Sequence, residues 1–301
     1  MVNIQKSFKE TADEDYGVLY LVGTPIGNLE DMTFRAIRTL KEVQLIAAED
    51  TRQTRKLLTH FEISTRLVSY HEHNKQNSGH ELIRLLKEGQ SIALVSDAGL
   101  PAVSDPGADL VADAIDQGIK VVPIPGANAA LSALIISGLS TERFMFTGFP
   151  PREKKSLIKW LNQLQKQDGT LMLYESPHRL RKTLDAMLEC WGDRQIAMVR
   201  ELTKRHEEAA RGTISECIAW VAENQPLGEY CLIVEGADAA STAGRSNGSE
   251  GIEEEGPWWS HLELEAHVAH YEAEYDRKEA IKRAALDRGM QKREVYNAVN
   301  R

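Results

Sequence analysis

The sequence predicts an α/β protein made of two α/β domains followed by a small C-terminal helical piece. Short apolar runs alternate with helical patterns over residues 18–138, and the alternation resumes after residue 144. Such alternation is typical of mostly parallel sheets. From residue 237 to residue 257 the sequence is rich in small, polar and acidic residues. The expected parts are a disordered leader (1–16), an N-terminal α/β domain (17–143), a C-terminal α/β domain (144–236), a flexible linker (237–257) and a small basic helical domain (258–301).

The elements of the first domain follow from apolar spacing and turn residues. Asp31 is available as the N-cap of the first helix. Strands are predicted at 18–22, 43–49, 66–71, 91–96 and 120–125, and helices at 31–43, 51–61, 78–89, 109–118 and 126–138.

In the second domain, residues 144–150 (FMFTGFP) are predicted to be the connection from the first. Helices are predicted at 153–167, 177–190 and 214–224, strands at 170–175, 195–200 and 230–236, and extended chain at 207–212. The segment T-I-S-E (213–216) has the capping-box pattern that opens a helix. Two or three helices are expected in 258–301.

Composition narrows the class of protein. The hydrophobic content of 42 % and the charged content of 27 % are ordinary for a globular protein. No apolar run approaches the roughly 18 residues that span a membrane, and the polar N-terminus lacks an apolar signal core. The three cysteines (Cys190, Cys217 and Cys231) form no C-x-x-C motif. We therefore expect a cytoplasmic protein without a zinc site or a disulfide framework.

The charge is unevenly distributed. The formal net charge of −9 and the pI of about 5.6 disfavour a nucleic-acid partner. However, residues 277–293 carry seven Lys or Arg against two Asp or Glu, and 151–159 and 179–182 are also basic. These patches are either solvated helix faces or local contacts to RNA phosphates.

Four loops at predicted strand ends have the composition of a ligand-binding site: GTPIGN (23–28), EDTR (49–52), SDAGLPAVSDPG (96–107) and PIPGANAA (123–130). Ligands of open parallel sheets bind at the carboxyl ends of the strands. Gly allows close backbone approach and Pro fixes the chain path, so these loops suit a planar, hydrogen-bonding ligand. The alternative is tight turn chemistry without a ligand. GTPIGN lacks both the G-x-G-x-x-G and the P-loop patterns, which disfavours a phosphate ligand.

Those loops, together with YESPHR (174–179) and RELTKRHEEAARG (200–212), resemble the tetrapyrrole methylase superfamily. YESPHR and the E-L-T-K-x-H-E-E-x-x-R-G pattern are similar to the branch that methylates a cytidine 2′-oxygen in 16S rRNA. The similarity runs in order over residues 17–236. Two positions depart from the family pattern: Leu100 stands where Thr is expected, and Asn128 stands where Ser or Cys is expected.

The resemblance implies S-adenosylmethionine in the cleft between the two domains, a homodimer, and 16S rRNA within the 30S subunit, at the decoding centre, as the substrate. The cationic sulfonium of that cofactor would explain an acidic residue such as Asp97. Asp105, which precedes Pro-Gly, is instead expected to cap a turn or helix. The implied cofactor-binding residues are Pro25, Asp97, Ala98, Gly99, Val103, Ser104, Asn128, Ala129 and Tyr174.

Transfer to a ribose hydroxyl needs a base or a cation near the reacting oxygen. Candidates for this role are Glu49, Lys204 and Glu207, although salt bridges to neighbouring arginines are an alternative for each carboxylate. His71 and His73 would share one face of a strand, but no third metal ligand accompanies them, so no metal is expected. Candidate RNA contacts are Arg52, Arg55, His71, Arg179, Arg181, Arg205, Lys282 and Arg283.

Two other functions remain open from the residues. A small-molecule methyltransferase acting on a tetrapyrrole would share the fold, but it has no need of a tethered basic helical piece. A non-enzymatic ribosome-assembly factor would keep the fold but lose the cofactor cleft, and the Gly/Pro loops here are intact.

Overall fold

The computed structural model describes residues 5, 16–237, 259, 262–273 and 275–299. Most of the predicted leader (1–16) and linker (237–257) therefore lies outside the described residues. The chain divides into two compact units, residues 1–244 and 245–301. The predicted fold class is confirmed, since the first unit contains two sheets covered by helices.

The first sheet, predicted to be mostly parallel, is parallel throughout and has the strand order β3-β2-β4-β1-β5. Its strands are β1 Val18–Val22, β2 Leu45–Ala48, β3 Leu67–Ser69, β4 Ile92–Val95 and β5 Lys120–Ile124. The helices of this part are α1 Phe34–Glu42, α2 Thr51–His60, α3 Lys75–Lys87, α4 Ala108–Asp116 and α5 Ala129–Ser137. Every residue of β2 and β4 is buried, because apolar clusters cover both faces of the sheet.

The start of α1 differs from the prediction. Thr33 is the N-cap, and its side chain accepts a hydrogen bond from the Ala36 N–H at 3.1 Å. Asp31 instead ends a short 3-10 turn, Leu29–Asp31, that Asn28 caps. Thr and Asp are both good caps, so the sequence allowed either residue.

The second sheet is mostly antiparallel, with the order β6-β7-β10-β8-β9 and one parallel pair, β6 with β7. The segment predicted as a connection therefore begins with an edge strand. The capping box before α8 is confirmed, since the Thr213 and Glu216 side chains each accept a bond from the other's backbone N–H. The strands are β6 Phe144–Phe146, β7 Thr170–Glu175, β8 Gln195–Arg200, β9 Glu208–Thr213 and β10 Tyr230–Val234, and the helices are α6 Lys154–Leu164, α7 Pro177–Trp191 and α8 Ile214–Glu223.

Helix α5 connects the two sheets. It begins just beyond β5 of the first sheet, yet its buried residues Ala130, Ala133 and Leu134 pack on Met172 and Val199 of the second. Helices α6, α7 and α8 cover the opposite face of the second sheet. The N-terminus of α5 consequently lies where the strand-end loops of the first sheet meet the second sheet.

The second unit contains three helices within its described residues: α9 Leu264–Glu272, α10 Arg277–Asp287 and α11 Lys292–Val299. Val268, Ile281 and Val295 pack in its core with three alanines. The buried His267 ring lies 3.1 Å from an Asp287 carboxylate oxygen through Nε2. No helix in the described part of the chain is long and apolar enough to cross a membrane.

Candidate functional site

Two loops of the first sheet are joined by backbone hydrogen bonds at the strand ends. The Thr24 N–H donates to the Gly99 carbonyl at 2.8 Å, and the Gly99 N–H donates back to the Thr24 carbonyl at 3.1 Å. Gly99 has a φ of +78°, a conformation that side chains rarely adopt. This bridge fixes the loop after β1 against the loop after β4.

A third loop meets the first through two facing glycines. A Cβ added at Gly126 would lie 2.9 Å from the Gly23 carbonyl carbon, and one added at Gly23 would lie 2.8 Å from the Gly126 Cα. In both cases the atoms that an added Cβ would meet belong to the backbone, which cannot rotate away as a flexible side chain could. The loops after β1, β4 and β5 therefore form one rigid edge.

This edge borders a cavity of about 320 Å³, here called the first cavity, whose opposite wall comes from the second sheet. Its volume lies in the range of small-molecule sites. The structure brings ten of the predicted site residues together around it: Glu49, Asp97, Ala98, Gly99, Val103, Ser104, Asn128, Ala129, Tyr174 and Lys204. Sequence reasoning missed other lining residues, among them Asp105, Phe149, Glu201 and Cys231.

Five carboxylates line the first cavity, and three of them, Glu49, Asp97 and Asp105, interact with one another. Asp97 accepts a hydrogen bond from the Asp50 N–H at 3.0 Å, which ties the loop after β4 to the start of α2. Burial, and next the neighbouring Asp97, raise the pKa of Glu49. Burial, then the charges of Glu49 and Asp97, raise the pKa of Asp105 to about 6, with hydrogen bonding from Ser96 acting in the opposite direction. A cationic ligand would relieve this repulsion.

Asp105 does not have the capping role predicted for it. The N-cap of α4 is Gly107, with a φ of +140°, and no side chain caps that helix end. Asp105 lines the first cavity instead. The Asp-Pro-Gly pattern indicates a turn but does not show which way the carboxylate points, and this is why the sequence did not reveal the role.

Asp105→Asn is expected to stabilise the fold above about pH 6. The folded pKa of about 6 exceeds the ordinary 3.8, so the contribution of Asp105 to stability is greatest below the lower value. This contribution to stability is lost as the pH rises through the folded-state pKa of about 6. Thermal unfolding should show a midpoint raised by roughly 2–4 °C at about pH 8 and no gain at about pH 4.

Asp116→Asn is the matched control, because it makes the same chemical change on the exposed end of α4, outside the first cavity. A midpoint difference for Asp105→Asn that does not grow with pH would contradict the burial of this carboxylate.

Aromatic rings and a thiol form the apolar wall. The Tyr174 ring makes an edge contact with Phe146 at 5.0 Å and a tilted contact with Phe149 at 5.4 Å. Burial raises the pKa of Tyr174 to about 12 and that of Cys231 to about 12. Both groups are therefore neutral at physiological pH.

Asn128, one of the two departures from the family pattern, caps α5. Its side chain accepts a hydrogen bond from the Leu131 N–H at 2.9 Å. Ser and Asn are interchangeable in this role, so the departure keeps the local geometry. Leu100, the other departure, lines the first cavity beside Gly23.

The backbone is strained in two loops that contribute to the first cavity, through Ser104 in one and Glu201 in the other. Ala102 and Ser104 have φ values of +67° and +64°, and Glu201 and Thr203 have values of +51° and +67°. Non-glycine residues in this region cost on the order of 1 kcal/mol each and concentrate at functional sites. The second pair begins the loop that connects β8 to β9.

That loop carries Lys204 and Glu207. The Lys204 ammonium pairs with Glu201 at 2.9 Å, and its aliphatic chain lies against Gly27, where an added Cβ would be 2.5 Å from Cγ. Glu207 accepts a hydrogen bond from the Thr203 N–H at 2.7 Å. Glu207 lines a separate depression with Arg205, so the structure does not bring it to the first cavity.

Pro25 is the predicted cofactor residue that does not line the first cavity. It lines a second cavity of about 300 Å³ that α2 and the loop after β1 enclose. The residues around this second cavity are Thr24, Pro25, Gly27, Leu29, Gln53, Thr54, Lys56, Leu57 and Asp97.

Several of the predicted RNA contacts have protein partners. Arg52 pairs with Asp50 at 2.9 Å, and Arg181 pairs with Asp185 at 2.9 Å. Arg55 is exposed on α2. Lys282 and Arg283 belong to α10 in the second unit, where both approach Glu279.

His71 and His73 were predicted to lie on a strand, but they do not. They lie in the turn after β3, with ring centroids 6.0 Å apart. Among the described residues, no group of three His, Cys, Asp or Glu side chains is arranged to hold a metal ion.

The YESPHR segment has a structural role that its sequence did not reveal. Glu175 is buried, and it accepts hydrogen bonds from the Thr183 hydroxyl at 2.6 Å and the Ser176 N–H at 2.8 Å. Arg179 donates to the Pro150 and Pro151 carbonyls at 2.9 and 2.8 Å. The segment thus holds the loop that carries Phe149 at the edge of the first cavity.

Comparison with known proteins agrees with this geometry. A family model described as Tetrapyrrole (Corrin/Porphyrin) Methylases matches residues 18–218. A solved uroporphyrin-III-C-methyltransferase from Thermus thermophilus superposes with a TM-score of 0.53 at 21 % identity, covering 75 % of this chain and 98 % of that one. That likeness concerns the fold alone.

Curated relatives are much more similar in sequence. The protein named ribosomal RNA small subunit methyltransferase I from Bacillus subtilis (strain 168) is 56 % identical over 299 residues, which covers 99 % of this chain and 98 % of the relative. Its namesake from Halalkalibacterium halodurans is 56 % identical over 97 % of each chain. The resemblance stated from the sequence is confirmed. The chain therefore belongs to the tetrapyrrole methylase family and, within it, to the group of methyltransferases named ribosomal RNA small subunit methyltransferase I.

Proposed function

We propose that the protein transfers the methyl group of S-adenosylmethionine to the ribose 2′-oxygen of a cytidine in 16S rRNA, at the decoding centre of the 30S subunit. The rRNA substrate is supported by the 56 % identity to a relative named for that substrate, an identity that extends over 99 % of the chain and includes the second unit. The tetrapyrrole alternative is favoured by the broad family model and by a fold-level similarity at 21 % identity, both weaker than the 56 % identity to the rRNA methyltransferase relative. An assembly factor without activity does not account for the intact first cavity.

The residues around the first cavity fit S-adenosylmethionine. Glu49, Asp97 and Asp105 supply a cation-preferring side, and the Tyr174 and Phe149 rings supply an apolar side. The backbone around Gly99 and the capped start of α5 offer hydrogen-bonding groups for the nucleoside. When bound, the cofactor supplies a methyl group whose bonding electrons stay on sulfur while the hydroxyl oxygen forms the new bond and loses its proton.

The chain's own residues position the reacting groups and handle that proton. The rigid glycine-rich edge fixes the donor side, which reduces the entropic barrier. Glu49, whose pKa is raised, is the candidate base within the first cavity, and the Lys204 ammonium is the candidate cation for the developing negative charge on oxygen. Glu207 acts indirectly in this proposal, because its carboxylate holds the strained turn before Lys204.

The proposal includes a homodimer acting in the bacterial cytoplasm. Leu131 and Ile135 on α5, and Phe144 on β6, expose large apolar side chains. Ile135 is 74 % exposed, which is costly for an isolated protein and suits a face that a second copy covers.

The test is methyl transfer from labelled S-adenosylmethionine to 30S subunits taken from cells that lack this activity. We expect label on the 2′-oxygen of one decoding-centre cytidine, and little label on the same RNA as a free strand, because an assembled substrate is recognised by its shape. Cofactor binding by calorimetry without label on 30S subunits would contradict the rRNA substrate. Absence of cofactor binding would contradict the enzyme itself.

A further inference from the structure

We propose that the second cavity binds the ribonucleotide that accepts the methyl group, so that donor and acceptor occupy different faces of the loop at residues 23–28. The inference rests on the proposed function and names where its substrate binds. Within the described residues, two open cavities of similar size, about 320 and 300 Å³, share the wall residue Asp97.

The loop after β1 separates these cavities. Ile26 lines the first cavity, whereas its neighbours Pro25 and Gly27 line the second. The Thr24–Gly99 bridge holds this partition in place, with both of its hydrogen bonds buried in the site. A ligand in the second cavity would therefore reach the first one around the loop and not through it.

The two cavities differ in charge, and the difference selects the occupant. The first cavity has five carboxylates against two cations, Arg200 and Lys204, so its lining repels phosphate and attracts a cation. The second cavity has Asp97 as its acidic residue and adds Lys56 and the Gln53 amide from α2. A phosphate backbone is positioned by cations, and a nucleobase is recognised by hydrogen bonds to its edges.

The surroundings of the second cavity strengthen that selection. Helix α2 carries Arg52, Arg55 and Lys56 and has no acidic residue between Thr51 and His60. The Arg52 side chain is 87 % exposed although it pairs with Asp50. An RNA strand that enters the second cavity would therefore lie along the cationic surface of α2.

The cavities meet at two points, and both carry groups suited to the reaction. Asp97 lines both of them. Gly27 of the second cavity lies against the aliphatic chain of Lys204, whose side chain lines the first. A ribose held in the second cavity would thus present its hydroxyl where a carboxylate and an ammonium group face the donor.

The experiment compares the double variant Gln53→Ala with Lys56→Ala, and the single variant Leu29→Trp, with the wild-type protein. The first removes polar contacts, and the second fills the cavity from its exposed rim. Steady-state methylation of 30S subunits gives KM and kcat, calorimetry gives the Kd for S-adenosylmethionine, and circular dichroism confirms folding. Lys41→Ala on the exposed last turn of α1 is the charge-matched control.

We expect KM for 30S subunits to rise about tenfold or more in both variants, with the cofactor Kd unchanged within about twofold. The control should match the wild type in both quantities. An unchanged KM in both folded variants would overturn the assignment, and so would a cofactor Kd that rises with KM, because the second cavity would then serve the donor. If wild-type protein binds cofactor but leaves 30S subunits unlabelled, the proposed function fails, and with it RNA as the occupant.

Discussion

Gly126→Val is expected to abolish cofactor binding and to lower the free energy of unfolding by about 2–3 kcal/mol. Gly126 and Gly23 face each other so closely that an added Cβ would lie 2.9 Å from backbone carbon. Real Cβ atoms do not approach backbone so closely, so the loops after β1 and β5 must separate. Asn128 and Ala129, which line the first cavity two and three residues later, would move with them.

Urea unfolding and calorimetry with S-adenosylmethionine measure the two effects. Gly126→Ala is the milder companion variant, and it should keep the fold while weakening cofactor binding. Gly79→Ala is the control: its Cβ would make an ordinary 3.9 Å contact with Tyr70, and in α3 it should be neutral or stabilise by up to about 1 kcal/mol. Wild-type affinity in Gly126→Val would refute the packing argument.

Asp97→Ala is expected to lower kcat/KM by about 100-fold or more. The carboxylate lines both cavities and accepts the Asp50 N–H at 3.0 Å, so its loss affects the donor side, the acceptor side and the start of α2 together. Asp97→Asn keeps the acceptor oxygen but removes the charge. It should therefore recover the α2 geometry and leave the defect in cofactor affinity.

Methylation of 30S subunits over a range of S-adenosylmethionine concentrations gives kcat/KM for the cofactor, and calorimetry gives its Kd. Asp116→Ala, on the exposed end of α4, is the control and should behave as the wild type. Wild-type cofactor Kd and kcat/KM in both Asp97→Asn and Asp97→Ala would show that neither the charge nor the hydrogen bond of Asp97 matters.

Local patterns predicted the elements of the fold well, and strand direction less well. The alternation of apolar runs and helices indicated the first sheet because a parallel strand needs a crossover helix. The second sheet also alternates, yet three of its four pairings are antiparallel. Periodicity reports which residues are buried and carries no information about the direction of the neighbouring strand. β6 was missed because three residues, Phe144–Phe146, are too few to show a period.

The candidate site could be predicted as a set of loops, but its division into two cavities could not. Gly, Pro and Asp at the strand ends indicated where a ligand binds. That Ile26 and Pro25 line different cavities depends on a turn held by the Thr24–Gly99 bridge, which joins residues 75 positions apart. Asp105 was misassigned for a related reason, because its surroundings include Glu49 from another strand end.

Cys231 faces a chemical hazard that the fold removes. The first cavity is proposed to hold a strong methylating agent beside a sulfur atom, and thiolates are the side chains that such agents alkylate most readily. Burial in the second sheet raises the pKa of this thiol to about 12, so the sulfur keeps its proton at neutral pH and is a poor nucleophile. In the proposed complex with the methyl donor, the same apolar packing that builds the wall would therefore make this thiol a poor competitor of the substrate hydroxyl.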